Sequence, residues 1–600
     1  MTPVLEVAGL DVDFDGRPAV RDVGFSLARG EVLGLVGESG SGKSATALAV
    51  LGLLPDNAAV RGSVRLDGQE LIGAGERELT RIRGSRVSMV FQDPLSAFTP
   101  VYRIGDQIAE AVRAHQDVSR ERARERAVEL LDLVGIPEPA VRARAFPHEF
   151  SGGMRQRAMI AMAMANEPDV ILADEPTTAL DVTIQAQVLD VLRTARRETG
   201  AAVLLVSHDL GVIAGMADRV AVMHEGRVVE SGTADEVFAR PREPYTRKLI
   251  GAVPRLDDAR PRTELPAGEP VLKVRGLTKT YPLLKGSAFK RRVGSVYAVD
   301  GIDLDIRRGE TLALVGESGS GKSTTLFELL ELAVPEGGSV ELFGQRLGTL
   351  GTSGLRALRR RLGIVFQDPM ASLDPRMPVG DIIGEPLRTQ GADRATVARR
   401  VPGLLTQVGL DPAHAERFPH EFSGGQRQRI AIARALSVEP ELLVLDEPVS
   451  ALDVSVQAGV LDLLHRLKTE LGLAYLFVSH DLSVVRHIAD RVSVVYLGRS
   501  VEAGPVEEVF ERPRHPYTQA LLSAVPLPDP ERERARQRTR ILLAGDPPSP
   551  TRRYEGCRFR ARCPLYTSLA EEERKRCAHD VPVLEGDGAA CHFARVREVI

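Results

Sequence analysis

The segment VGESGSGKS stands at residues 36–44 and again, letter for letter, at 315–323. Each copy fits G-x-x-x-x-G-K-[ST], with Gly37, Gly42, Lys43 and Ser44 in the first and Gly316, Gly321, Lys322 and Ser323 in the second. Glycines let successive backbone N–H groups turn toward one phosphate chain, and Ser39, Gly40, Ser318 and Gly319 fall inside that turn. The Lys ammonium is a compact charge for β and γ phosphates, and the Ser hydroxyl is a ligand for the Mg²⁺ that bridges them. Asp174-Glu175 and Asp446-Glu447 each end an apolar run. There the Asp is suited to hold Mg²⁺ and the Glu to polarise an attacking water, a general-base role worth ~10²–10⁴ in rate. His208 and His480 follow a second apolar run in each half and are suited to contact a γ-phosphate and orient that water. Gln92 and Gln367, in FQDP, carry amides able to reach the metal or the water. Taken singly, each residue has a plainer reading, as a helix cap, a packed histidine or a surface amide. Their recurrence in one order favours chemistry.

These side chains need particular elements behind them. The apolar runs EVLGLVG and TLALVG predict buried strands leading into the loops, and KSATALAVLGLL and KSTTLFELLELA predict helices whose positive N-termini face the phosphates. SGG at 151–153 and 423–425 opens a further helix in each half, a second anion-receptive terminus or simply an N-capped turn. VFQDP, FPHEFSGG and VSHDL all occur twice. Lys43 and Lys322 are 279 residues apart, Gln92 and Gln367 are 275 apart, and from Ser151 and Ser423 onward the separation stays at 272. That constancy marks duplication of a whole domain. The expected division is a first domain at 1–253, a linker at 254–270, a second domain at 271–526 and an extension at 527–600. A basic stretch at 283–295 reads as an exposed insertion in the second copy. One ATP gripped by the phosphate loop of one copy and the SGG of the other explains why a single chain carries the loop twice.

The 600 residues are 43% hydrophobic and 27% charged with a formal net charge of −4, ordinary for globular domains and without a global pull toward nucleic acid or anionic lipid. No run of 18 apolar residues is present, and the first residues lack the basic and apolar regions of a signal peptide. A cytosolic chain is expected.

The ordered motif set resembles the ATPase subunits of ABC transporters over residues 4–526, and most nearly those of the oligopeptide/dipeptide (peptide/nickel/opine) importers, through GESGSGKS, VFQDP, FPHEFSGGMRQR, FPHEFSGGQRQR and the two PYTxxLxxAVP segments. The resemblance implies an α/β chain of two P-loop NTPase domains. Each would have a mixed sheet core, an antiparallel β subdomain and a helical signature subdomain, followed by a small Cys-containing extension. It further implies that Ser423, Gly425 and Gln426 close the site of Lys43, Ser44, Gln92, Asp174, Glu175 and His208. Ser151, Gly153 and Met154 would close that of Lys322, Ser323, Gln367, Asp446, Glu447 and His480. Asp181 and Asp453 match the D-loop. Phe14 and Tyr281 fall where the family stacks an aromatic on adenine, or are ordinary strand aromatics. Met154 replaces the general signature Gln, and a thioether cannot make the amide's hydrogen bonds. ATP hydrolysis at both sites is expected, on the cytoplasmic face of the inner membrane. The implied partners are two transmembrane permease subunits and an extracytoplasmic peptide-binding protein, the two ATPase domains pairing within the chain. Nickel, glutathione or opines are alternative cargoes. A soluble tandem ATPase acting on ribosomes or nucleic acid is the competing class, though no basic–aromatic patch supports it.

All four cysteines, Cys557, Cys563, Cys577 and Cys591, lie beyond the duplication. No C-x2-C pair of common zinc sites is present. Free thiols are one reading. Four thiolates also suit an iron–sulfur cluster, and PSPTRRYEGCRFRARCP resembles the importer subfamily's extension, which implies 4Fe-4S.

Overall fold

The computed structural model describes residues 3–178, 180–257, 268–285, 291–450 and 452–599. The chain forms two compact units, Met1–Val253 with Ala524–Asp546, and Pro254–Ser523 with Pro547–Ile600. Residues 258–267 of the expected linker and 286–290 of the expected insertion lie outside the described residues. The flanks of that insertion are strand: Pro270–Lys285 pairs antiparallel with Arg291–Arg307.

In the first unit, strands Val32–Val36, Val87–Val90, Val170–Asp174, Ala202–Val206 and Arg219–His224 run parallel, with Arg227–Thr233 antiparallel at one edge. Their near-continuous Val, Leu, Ile and Ala runs suit a sheet covered on both faces, and every residue of Val32–Val36, Val170–Asp174 and Ala202–Val206 is buried. Parallel strands bring their C-terminal ends to one edge, so the segments after Val36, Asp174 and Val206 emerge together. A four-stranded antiparallel sheet includes Pro3–Phe14, Arg17–Ala28 and Ala58–Leu66. Its apolar residues Leu5, Leu10, Val12 and Leu66 share a core with Leu33 and Leu35 of the central sheet. Helices Ile104–His115, Arg120–Leu133 and Gly152–Ala163 pack through Ile108, Val112, Ala127, Leu130 and Ile160.

The second unit repeats this plan and adds a seventh strand, Gly588–Ala589, beside Arg499–Pro505. Each unit is α/β, with one mixed sheet, one antiparallel sheet and a helical segment. Residues 524–546 go with the first unit, where helix Pro530–Gln537 lies against helix Leu210–Met216 and Gln537 Nε2 donates to the Gly215 carbonyl at 2.8 Å. Among the described residues no helix is long and apolar enough to cross a membrane.

Candidate active site

Each phosphate loop links a buried strand to a helix, Lys43–Leu51 in the first unit and Lys322–Glu331 in the second. The N-cap positions are Gly42, with φ 97°, and Gly321, with φ 105°. A Cβ at these positions would stand 2.6 Å from the Ala19 carbonyl oxygen and 2.3 Å from that of Ala298. Only glycine fits both the dihedral and the space. Lys43 Nζ donates to the carbonyls of Gly37 and Glu38 at 2.9 Å each, and Lys322 Nζ to those of Gly316 and Glu317 at 2.7 and 3.0 Å. Both ammonium groups are buried beneath the loop.

The acidic pair lies across from the loop. Ser44 Oγ donates to Asp174 Oδ1 at 3.1 Å, which joins the two expected metal ligands. Burial and the neighbouring Glu447 push Asp446 up to about 6, and burial raises Asp174 as well despite the Ser44 hydrogen bond. A divalent cation relieves that cost, so these residues fit Mg²⁺ held by one carboxylate, one hydroxyl and substrate oxygens.

Glu175 adopts φ 46° and Glu447 φ 45°, a left-handed conformation uncommon for Glu. Their N–H groups donate to Val206 and Val478 carbonyls at 2.9 and 3.0 Å. His208 Nδ1 lies 3.0 Å from Glu175 Oε1, and Gln92 Nε2 donates to Glu175 Oε2 at 2.8 Å. The second unit matches, with His480 Nδ1 at 3.0 Å from Glu447 and Gln367 Nε2 at 2.8 Å. Burial works to raise both glutamates, but the hydrogen bond and charge of His208 or His480 hold them below the usual carboxylate value. The Glu175 hydrogen bond raises His208 in turn. Each unit therefore presents an ionised base fixed by an imidazole and an amide, next to a Lys and a Ser on a phosphate loop. That arrangement suits activation of water against a bound phosphoanhydride.

Other predicted residues are placed farther along. Ser151 and Ser423 cap helices Gly152–Ala163 and Gly424–Leu436. Gln426 completes a capping box by accepting from Ser423 N–H at 3.0 Å, whereas Met154 is buried in the core at 5% exposure. Gly153 and Gly425 make close helix contacts: a Cβ would stand 2.4 Å from Ile184 and 2.1 Å from Val456. Asp181 and Asp453 occupy the N-cap positions of Val182–Thr199 and Val454–Leu471. Phe14 packs against the core around the antiparallel sheet, and Tyr281 is exposed with Lys279 Nζ 5.6 Å from its ring centre.

Two groups escaped sequence reading. Asp546 accepts from the Ser151 hydroxyl at 2.5 Å and from buried Arg157 at 3.2 Å. Arg562 forms a buried fork on Glu317 of the second phosphate loop, at 2.7 and 3.0 Å. Both lie beyond the duplicated region, so no repeated partner flags them.

The iron–sulfur expectation is overturned. Among the described residues no group of three or more His, Cys, Asp or Glu side chains is arranged to hold a metal ion. Cys557, Cys563, Cys577 and Cys591 are free thiols lining, with Phe559 and His515, a cavity of about 20 Å³, room for about one water. Burial pushes Cys557 up to about 12 and Cys591 up to about 11.

The family model described as ABC transporter matches residues 20–178 and 299–450, and that described as oligopeptide/dipeptide transporter, C-terminal region, matches 229–292 and 501–568. The oligopeptide transport ATP-binding protein OppD of Mycobacterium tuberculosis is 52% identical over 610 residues, covering 89% of this chain and all of that protein. The glutathione import ATP-binding proteins GsiA of Salmonella typhimurium and Escherichia coli are each 48% identical, covering 91% of this chain and 93% of theirs. With both halves matched and relatives aligned over nearly their full length, the chain belongs to the ABC transporter ATPase family and carries two of its ATPase domains.

Proposed function

We propose that this chain is the ATP-hydrolysing subunit that powers peptide import through two partner permeases at the cytoplasmic face of the membrane, with an extracytoplasmic peptide-binding protein delivering cargo. The observation that carries this reading is the pairing, in both halves, of a Glu–His–Gln constellation beside a phosphate loop with the C-terminal region of peptide transporters. Bound Mg²⁺ would supply charge neutralisation between the β and γ phosphates, held by Ser44 and Asp174 or by Ser323 and Asp446. The loop N–H groups and Lys43 or Lys322 hold the phosphate chain. Glu175 or Glu447 takes the proton of the attacking water, and His208 or His480 fixes the carboxylate that receives it. Exposed Leu95, Val101 and Tyr102, which follow Gln92, and Met370, which follows Gln367, offer apolar surface for permease docking.

Purification of the tagged chain from native membranes in mild detergent tests the reading. Two multi-spanning permeases and a peptide-binding protein are expected. Ribosomal proteins or nucleic acid without a membrane subunit would overturn it. The GsiA relatives favour glutathione as a second cargo reading. Competition of unlabelled glutathione against labelled peptide uptake separates the two.

A further inference from the structure

The extension reaches the second phosphate loop through Arg562. Arg562 lies within the cysteine-bearing segment, and both its guanidinium and the Glu317 carboxylate are 2% exposed. Glu317 is the second residue of the phosphate loop, and each of its polar parts is held. Its N–H donates to the Tyr517 hydroxyl at 2.9 Å, its carbonyl accepts from Lys322 Nζ at 3.0 Å, and its carboxylate takes the Arg562 fork. Tyr517 in turn packs against Tyr496 and Phe559, with ring centres 4.7 and 5.4 Å away. Phe559 stands three residues before Arg562, so one short stretch of the extension grips both the loop and the tyrosine that supports it.

The first unit is an internal control. Glu38 occupies the same loop position, its N–H donating to Tyr245 at 3.2 Å, but its side chain is only half-buried. Tyr245 stacks on His224, which stands where the second unit has Tyr496. Water can screen the Glu38 charge. The Glu317 charge is sealed within protein, beside a loop that must accept an anionic triphosphate. A buried carboxylate there repels the ligand unless a cation neutralises it.

We propose that Arg562 is a positioning residue for the second ATP site. It neutralises Glu317 and fixes the loop, so that the extension acts as a brace on one of the two phosphate loops. This rests on the reading of that loop as a nucleotide site.

The test uses the full-length chain carrying Lys43→Ala, which leaves the second site to bind a fluorescent ATP analogue with Mg²⁺. Adding Arg562→Met is expected to weaken binding by at least ~10-fold. In a Lys322→Ala background, which reads the first site, Arg562→Met is expected to change nothing. Adding Glu317→Gln to Arg562→Met removes the stranded charge and is expected to restore affinity, a rescue that general loss of packing would not give. Unchanged second-site affinity, an equal fall at both sites, or no rescue would each overturn the proposal. If Arg562→Met does not fold, Arg562→Gln carries the test: it keeps a hydrogen-bonding side chain but removes the charge, and unaltered affinity in it refutes the role. If the Lys43→Ala chain binds no nucleotide at all, the site reading fails and the brace falls with it. Binding that is present but indifferent to Arg562 sinks the brace alone.

Discussion

Glu175 and Glu447 carry a backbone conformation that costs ~1–3 kcal/mol each, and the same surroundings hold both there. Each N–H is tied to the neighbouring strand, and each carboxylate lies between an imidazole and an amide. Replacing both with Gln keeps the shape and one acceptor oxygen but removes the base. The Glu175→Gln, Glu447→Gln chain is expected to bind ATP and to lose turnover by at least ~10²-fold, measured as phosphate release. Near-normal turnover would exclude these carboxylates as bases. Asp546 accepts from the hydroxyl of Ser151, which the family resemblance counts among the residues that close an ATP site. A phosphate that reaches Ser151 must displace it. Asp546→Asn weakens the contact while leaving a polar partner for Arg157, so the KM for ATP is expected to fall about 2–5-fold. An unchanged KM would show that this contact does not compete with nucleotide.

At the scale of elements, the second signature glycine sets how closely two helices meet. Gly425 on Gly424–Leu436 faces Val456 on Val454–Leu471, and a Cβ there would stand only 2.1 Å from a Val456 methyl carbon. Gly425→Ala is expected to cost ~1–3 kcal/mol through overpacking, read as a lower denaturation midpoint of the second unit. Gly424→Ala meets only Leu452, at 3.5 Å, and is the matched control. Equal effects from the two would refute the packing role. The same helix starts show why Met154 is tolerated. The first helix keeps its Ser151 cap, and the thioether fills core space in place of the capping-box amide.

The two halves are expected to differ as whole units in their response to acid. His515 is buried at 1% exposure, its Nδ1 accepts from Tyr517 N–H at 3.1 Å, and burial lowers its pKa to about 3. In the unfolded chain a histidine titrates near ~6.5. Below that pH the unfolded chain takes up a proton that the folded one refuses. Stability from this group is therefore complete above pH ~6.5 and declines as pH falls toward about 3, by at most ~1.4 kcal/mol per pH unit. The corresponding residue of the first unit, 272 earlier, is Glu243. Denaturant titrations between pH 7.5 and 5.5 are expected to shift the second unit's transition toward lower denaturant, and His515→Gln is expected to flatten that shift. A shift that persists in the variant would place the sensitivity elsewhere.

The sequence by itself determined the duplication, the strand–loop–helix setting of both phosphate loops and the roster of Lys, Ser, Asp, Glu, Gln and His in each. Local physics makes these legible: unbroken apolar runs form buried parallel strands, glycine permits the loop's dihedrals, and two copies remove chance. Tertiary structure alone decided which groups meet. Gln92, Glu175 and His208 are separated by 83 and 33 positions, and only the parallel register of their strands brings them within 3.0 Å. The cysteines show the limit most plainly. Their spacing and resemblance suggested a metal cluster, whereas the fold sets them as free cysteines around a small cavity, with no metal-holding group among the described residues. Spacing along the chain carries no information about desolvation. Asp546 and Arg562 were illegible for the same reason: nothing local marks a charge whose partner lies 395 or 245 residues away.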